Sequence, residues 1–217
     1  SICSTLGLGE EEEREKADGD LTQWRSYSTD DGALIKFDPE KLKSAIEAEH
    51  KKYHFGFLST DDVSYDFQNA VKMIEPHRDT IRSIFEYHKL GNKEAKAEVS
   101  DEFLEAFVGA SAFTKASCFA SEREYRISLA IPSHSQYQQL PNRKSKKRKN
   151  IFSRISGKNI IPYVKILERS VIPCIDSIII GPSSTRSANV SMIEKLIIFN
   201  GWTFNVKSSG LPYKGSR

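Results

Sequence analysis

The sequence is short of the residues that announce metal centres, disulfide frameworks and membrane spans. It has three cysteines in 217 residues: Cys3, Cys118 and Cys174. They lie far apart, match no zinc spacing and suggest no disulfide framework, so they read as reduced thiols of a cytoplasmic protein. No apolar run reaches membrane-spanning length and no signal peptide is recognisable, which argues against a membrane partner. A dominant charge is missing too. Lysine and arginine number 32 against 29 aspartates and glutamates, a net charge of +3. Global charge therefore gives no argument for nucleic acid, although a local run can. There is no internal repeat.

What is present is a globular composition. At 38% hydrophobic and 10% aromatic residues, the chain can bury a core. Its length suits one large domain or two small ones, and a single domain over residues 1–217 is the expectation. Ser1–Leu6 reads like the end of a strand, and the chain opens without methionine. The expectation is that a natural N-terminal part precedes it.

The densest chemistry lies in Phe113–Ile131. Tyr125, Ile127, Leu129 and Ile131 alternate with Glu124, Arg126, Ser128 and Ala130, the period of a strand with one aliphatic face. Glu122, Glu124 and Arg126 share the other face if the strand already runs at Glu122. Two uses are open: a solvated face of a half-buried sheet, or a cleft where a carboxylate does chemistry.

Upstream, Trp24, Arg25 and Tyr27 place two aromatics around a guanidinium before the turn signal Asp31-Gly32 and a strand at Ala33–Phe37. Such a group can stack on a ring or hold a phosphate. It also reads as a buried tryptophan beside a structural ion pair. The run Glu10–Glu13 finds no core and reads as a solvated loop or exposed turn. Asp38-Pro39 starts a helix whose inward stripe is Leu42, Ala45, Ile46 and Glu49. His50 and His54, four apart, lack a third ligand, and no metal site is expected. A strand is expected at Val63–Tyr65 and a helix from Pro76 to His88. Ser100 caps another helix, with Phe103, Leu104, Phe107 and Ala110 inward.

Residues 141–150 carry Arg143, Lys144, Lys146, Lys147, Arg148 and Lys149, read as an exposed basic loop. An electrostatic contact with nucleic acid is the sharper use of that loop, without aromatics for base stacking. Strands are expected at Ile151–Ile155, Ile160–Leu167, Ile175–Ile180 and Trp202–Val206. A helix carries Val190, Ile193, Leu196 and Ile197. Gly181–Ser187, before that helix, combines hydroxyls, an arginine and a helix start, which suits N-capping or an anion. The pattern as a whole predicts an α+β fold with mixed, largely antiparallel sheets and packed helices.

Several pieces together resemble a bacterial family known as domain of unknown function 2971. They are Leu21–Tyr27 with Gly32 and Phe37, Phe113–Lys115 with Phe119 and Glu122–Arg126, Ile178–Pro182, and Ser209–Tyr213. Their order and spacing cover nearly the whole chain. The family's Asn-Asp-Pro segment has no counterpart here. A second-level similarity is to ADP-ribosyltransferase folds, where a strand glutamate, often in a Glu-x-Glu pair, stabilises the ribose as nicotinamide leaves NAD. Glu122-Arg-Glu124 matches that pair by type and spacing. The similarity implies Glu124 as the catalytic residue and Glu122 as positioning the acceptor. It further implies Arg25, Trp24, Tyr27 and Arg126 as contacts of a nucleotide-type molecule, NAD as the substrate, and a setting in defence or toxin biology. The alternative is a non-enzymatic interaction module that reaches nucleic acid through its basic loop.

Overall fold

A computed structural model describes residues 2–3, 18–27, 32–89, 100–140 and 145–212. The acidic run Glu10–Glu13, Asp31, Arg143, Lys144 and Tyr213 lie outside the described residues. In chain order the elements are β1 (Ile2–Cys3), α1 (Leu21–Tyr27), β2 (Ala33–Phe37), α2 (Pro39–Lys52), β3 (Tyr53–His54) and β4 (Phe57–Asp62). Next come α3 (Phe67–Ile74), α4 (Arg78–Lys89), α5 (Asp101–Ala112), β5 (Glu124–Ala130), α6 (His134–Gln139) and β6 (Lys147–Arg148). The chain continues with β7 (Phe152–Ser156), β8 (Asn159–Tyr163), β9 (Ile175–Ile180), α7 (Arg186–Asn200) and β10 (Asn205–Ser208). Short 3-10 segments cover Glu75–His77, Ser117–Glu122 and Glu168–Cys174. The fold is α+β, with small and mostly antiparallel sheets, as the sequence pattern predicts. It divides into two compact units: Ser1–Ser4 with Ser59–Ser128, and Thr5–Leu58 with Leu129–Arg217.

In the first unit β5 is the central strand of the order β1-β5-β4. β1 runs antiparallel to it, with Ile2 opposite Tyr125. Val63 N donates to Glu124 O at 2.8 Å, continuing the β4 edge past the strand's end. The strand expected at Val63–Tyr65 is instead β4, a few residues earlier. Ser64 makes only an isolated parallel bridge to Thr114. The reason is local: Asp66 caps α3 by accepting from Gln68 N at 2.9 Å, so the chain leaves the sheet there. The sequence reading missed α3 altogether. Pro76 sits in the 3-10 segment between α3 and α4, where its missing N–H costs no helical bond. Ser100 does cap α5, accepting from Phe103 N at 3.2 Å. Phe103 is buried, but Leu104 and Phe107 are largely exposed, so only part of the expected inward stripe is covered. Gly109 lets Met73 of α3 lie directly on α5; a Cβ there would stand 2.4 Å from the Met73 methyl.

The second unit is built on β10-β9-β2, with β9 central and buried at Ile179 and Ile180. β2 is antiparallel to β9, and β10 is parallel to it. Parallel neighbours need a crossover, and α7 supplies it. Gly201 ends α7 in the left-handed conformation at φ 66°. Thr185 stands at the N-cap of α7 but makes no side-chain cap bond, contrary to expectation. Its hydroxyl accepts from Asn189 Nδ2 at 3.2 Å instead. Asp38 caps α2 as expected, with Leu42, Ile46 and Glu49 inward. His54 falls on β3, beyond the end of α2, so His50 and His54 share no helix face. β7 and β8 form an antiparallel hairpin turned by Gly157 at φ 59°. β8 stops at Tyr163, four residues short of the expected Leu167; Leu167 and Glu168, further on, have positive φ.

Trp24 packs between glycines. The segment before the turn signal, to which the sequence reading assigned no element, is helix α1, and Trp24 on it is 7% exposed. A Cβ on Gly19 would lie 2.6 Å from the indole nitrogen, and one on Gly181 would lie 2.7 Å from the ring. Gly181→Ala should therefore lower stability by about 1–3 kcal/mol, since neither the indole nor Gly32 O at 3.1 Å can yield cheaply. Gly56→Ala, whose Cβ would meet Ala130 at ordinary distances of 3.5 Å and beyond, should be near neutral. Thermal melts of both variants check the packing; equal shifts would contradict it.

Candidate functional site

The charged centre of the first unit is assembled by three backbone constraints. Ser64 N donates to Phe113 O at 2.7 Å, and Lys115 N donates to Ser64 O at 3.0 Å. These bonds pin the segment after α5, so Lys115 is held by a distant part of the chain. The second constraint is the 3-10 segment Ser117–Glu122. It ends at Arg123, a left-handed residue at φ 43°, ψ 55°. Glu122 is therefore not on the strand, as the sequence reading required, because β5 begins only at Glu124. The third is β5 itself, which places Glu124 and Arg126 on one face at two-residue spacing.

Glu124 is the most buried residue of β5, at 2% exposure. This reverses the expected polarity of the strand, since Tyr125, Ile127 and Leu129 are only half-buried. Burial of a carboxylate demands partners. Arg126 supplies a fork: Nε lies 2.5 Å from Oε1, and Nη2 lies 3.0 Å from Oε2. Lys115 Nζ approaches Oε2 at 3.3 Å, and the same ammonium reaches Glu122 Oε2 at 2.5 Å. Tyr65 Oη accepts from Glu124 N at 2.8 Å. Arg126 Nη1 donates to Ala112 O at 2.6 Å, placing a cation at the C-terminus of α5. Two carboxylates and two cations thus form one charge-balanced network. The Glu122 carboxylate raises the Lys115 pKa above its usual value, and Glu124 adds to the effect. The Glu124 carboxylate raises that of Arg126 in the same way.

Of the residues predicted from sequence, the network brings together Glu122, Glu124 and Arg126. Lys115 and Tyr65 belong to it and were missed. Lys115 was visible only as the end of a motif, and nothing in the local sequence ties residue 64 to residue 115. Trp24 is packed as a core side chain, its Nε1 donating to Asp18 O at 2.9 Å. Arg25 and Tyr27 are exposed on α1.

In the described part of the basic segment, residues 145–150, Lys147 is exposed as expected of a loop but Lys149 is not. Lys149 is 4% exposed, ion-paired with Glu49, and bonded to Lys165 O at 2.8 Å. Its ammonium also lies 3.9 Å from the Tyr53 ring centre. Lys147 and Arg148 form β6, which pairs in parallel with β3. Lys146 donates to His50 O at 3.0 Å, and Arg148 Nε to Pro132 O at 3.4 Å. The physical reason is Glu49: an inward glutamate on α2 requires a cation, and the basic run provides Lys149. Among the described residues no His, Cys, Asp and Glu side chains gather into a metal-binding group, and no helix is long and apolar enough to cross a membrane. Cys118 and Cys174 are free thiols. Cys174 borders a shallow, open surface pocket of about 350 Å³ between α2 and the Glu168–Cys174 segment. Burial pushes that thiol's pKa up, which keeps it protonated and a poor nucleophile.

The motifs of the sequence resemblance fall into two clusters. Lys115, Glu122, Glu124 and Arg126 form the network above. Trp24, Gly32, Gly181 and Ser209 meet in the second unit: Gly181 N donates to Gly32 O at 2.9 Å, and Ser209 Oγ to Asp18 O at 2.9 Å. Residues 23–127 match the model of a family described as Protein of unknown function (DUF2971), so the resemblance to that family holds over this stretch. No curated protein and no solved structure matches the chain.

Two outcomes follow from the network. Arg126→Ala leaves the buried Glu124 carboxylate without its fork and should cost about 3–5 kcal/mol, towards the lower end because Arg126 is a quarter exposed. Urea unfolding measures it, and a loss below about 1 kcal/mol would place the pair in the surface class. The second outcome concerns pH. A raised lysine pKa means that the folded state holds its proton more tightly than the unfolded chain does. The resulting stability is complete below the ordinary value of 10.5 and disappears as pH rises through the folded value. Lys115→Met should therefore remove part of the alkaline loss of stability above pH 10.5, seen as a flatter melting-temperature profile there.

Proposed function

We propose that the charged centre of the first unit is the working site of an enzyme that splits NAD and transfers its ADP-ribose, with Glu122 as the carboxylate that meets the ribose. The supporting observation is the convergence of Glu122 and Glu124 on one ammonium, with the Glu122 side chain 11% exposed and that of Glu124 2%. A carboxylate ion-paired with lysine is ionised at neutral pH. Set beside a ribose that gains positive charge as its bond to nicotinamide breaks, it stabilises the transition state electrostatically. Nicotinamide leaves with the bonding electron pair. The acceptor's hydroxyl or amine closes a new bond to the same ribose carbon, and its proton passes to Glu122. Glu124 is then a positioning residue. Tied to Arg126 and Lys115, it fixes the ammonium that holds Glu122. This exchanges the roles that the resemblance implied for the two glutamates.

Incubation of the protein with NAD tests the reading by nicotinamide release. The wild type should release it, and Glu122→Gln should slow release roughly a hundred-fold or more while lowering the melting temperature less than Glu124→Gln does, because Lys115 keeps Glu124 as a partner. Glu124→Gln should lose stability and activity together. Absence of release from folded wild-type protein would overturn the reading, as would a Glu122→Gln variant with wild-type activity.

A further inference from the structure

The net charge of +3 conceals a strong segregation along the chain. No aspartate or glutamate occurs between Glu124 and Glu168, and that interval holds ten lysines and arginines. The rest of the chain carries 22 Lys/Arg against 29 Asp/Glu. Within the interval, Arg126 and Lys149 are neutralised by Glu124 and Glu49. The cations on backbone carbonyls, Lys146 and Arg148, keep their charge, and Lys147, Arg154, Lys158 and Lys165 are exposed.

Arg154, Lys158 and Lys165 sit on or beside the β7–β8 hairpin. Every residue of β7 is exposed. Ile155 and Ile160 are cross-strand partners next to the turn, at 81% and 74% exposure. Phe152 and Tyr163 stack at 5.7 Å near the base, and Lys165 lies over the Phe152 ring at 4.8 Å. A two-stranded hairpin is marginally stable in water by itself. Presenting two isoleucines to solvent at its tip costs further, so the arm is suited to a partner.

We propose that this hairpin is a DNA-binding arm that enters the major groove of a duplex tip first. The major groove, about 12 Å wide, admits a two-stranded ribbon. Arg154 and Lys158 would meet phosphates on the groove walls, and the Ile155–Ile160 pair would meet thymine methyls and apolar base edges. The charge of the interval selects a polyanion. The deep, narrow major groove of duplex RNA excludes such a ribbon, which selects DNA. This site shares no residue with the Lys115–Glu122 network, and its test does not depend on NAD chemistry.

Binding of the full chain to a fluorescent DNA duplex of random sequence, titrated across sodium chloride concentrations, tests the proposal. The logarithm of affinity should fall linearly with the logarithm of salt. Arg154→Gln combined with Lys158→Gln should lower the steepness by about 2, at roughly 0.9 per phosphate contact. Ile155→Ser with Ile160→Ser should weaken binding at every salt concentration and leave the slope unchanged. Both pairs are exposed, so circular dichroism should match the wild type. Lysine acetylation of the wild-type complex gives a readout free of variants: duplex DNA should protect Lys158 and spare the exposed Lys43. The proposal is overturned by absence of duplex binding, by a slope indifferent to Arg154 and Lys158, or by equal affinity for duplex RNA. Lys158 left unprotected, or tighter binding to phosphatidylserine vesicles than to DNA, overturns it as well.

Discussion

A buried carboxylate organises the first unit. Glu124 stands at 2% exposure on the central strand, where an unpaired charge would be untenable. Its ionisation is sustained by a guanidinium fork and an ammonium, and each of those donors reaches a further element. Arg126 closes the end of α5 through Ala112 O, and Lys115 gathers Glu122 from the 3-10 segment. Tyr65 takes the Glu124 N–H. One acid thus ties a strand, a helix terminus and two connecting segments together. Replacing the whole network by apolar residues need not weaken such a unit. Removing one member does, because the others are then left buried and unmatched.

The second unit uses a different device. Trp24 fills the space between Gly19 and Gly181, and its indole N–H goes to Asp18 O. That carbonyl also accepts from Ser209 Oγ, while the Asp18 carboxylate accepts from Gly210 N at 2.7 Å. Arg186 Nη1 donates to Ser209 O and Leu211 O at 3.3 and 3.2 Å. Segments nearly two hundred residues apart in sequence are thereby fastened at the end of β9. The glycines are needed for close approach of the ring, and Ser209 and Asp18 satisfy the polar backbone exposed by that approach. Glu49 and Lys149 form a second fastening, in which Leu167 N donates to Glu49 Oε1 at 3.1 Å and holds a left-handed residue in place.

Much of the fold could be read from local signals, since those signals are themselves local physics. The Asp38-Pro39 start of α2, the Ser100 cap of α5, Gly201 at the end of α7 and the strand Ile175–Ile180 all depend on neighbours within a few residues. The misplacements have the same origin in reverse. α3 follows a serine-aspartate turn that pulls Ser64 to Asp66 out of the sheet, and α1 looks irregular in sequence because so few of its residues are apolar. The basic run reads as a solvated loop until α2 points Glu49 inward, after which one of its lysines must be buried.

The sequence by itself determined the α+β class, the helix starts and stops, the Glu124–Arg126 face, and the family resemblance carried by ordered motifs. These follow from periodicity, capping and residue type, which need no knowledge of distant segments. The tertiary structure alone decided that Glu124 is buried, that Glu122 lies off the strand, and that Lys115 joins the two. It also decided that Trp24 rests on glycines 19 and 181, and that Lys149 belongs to Glu49. Each is a pairing across a large sequence separation. The burial that makes such a pairing necessary exists only once the chain has folded around it.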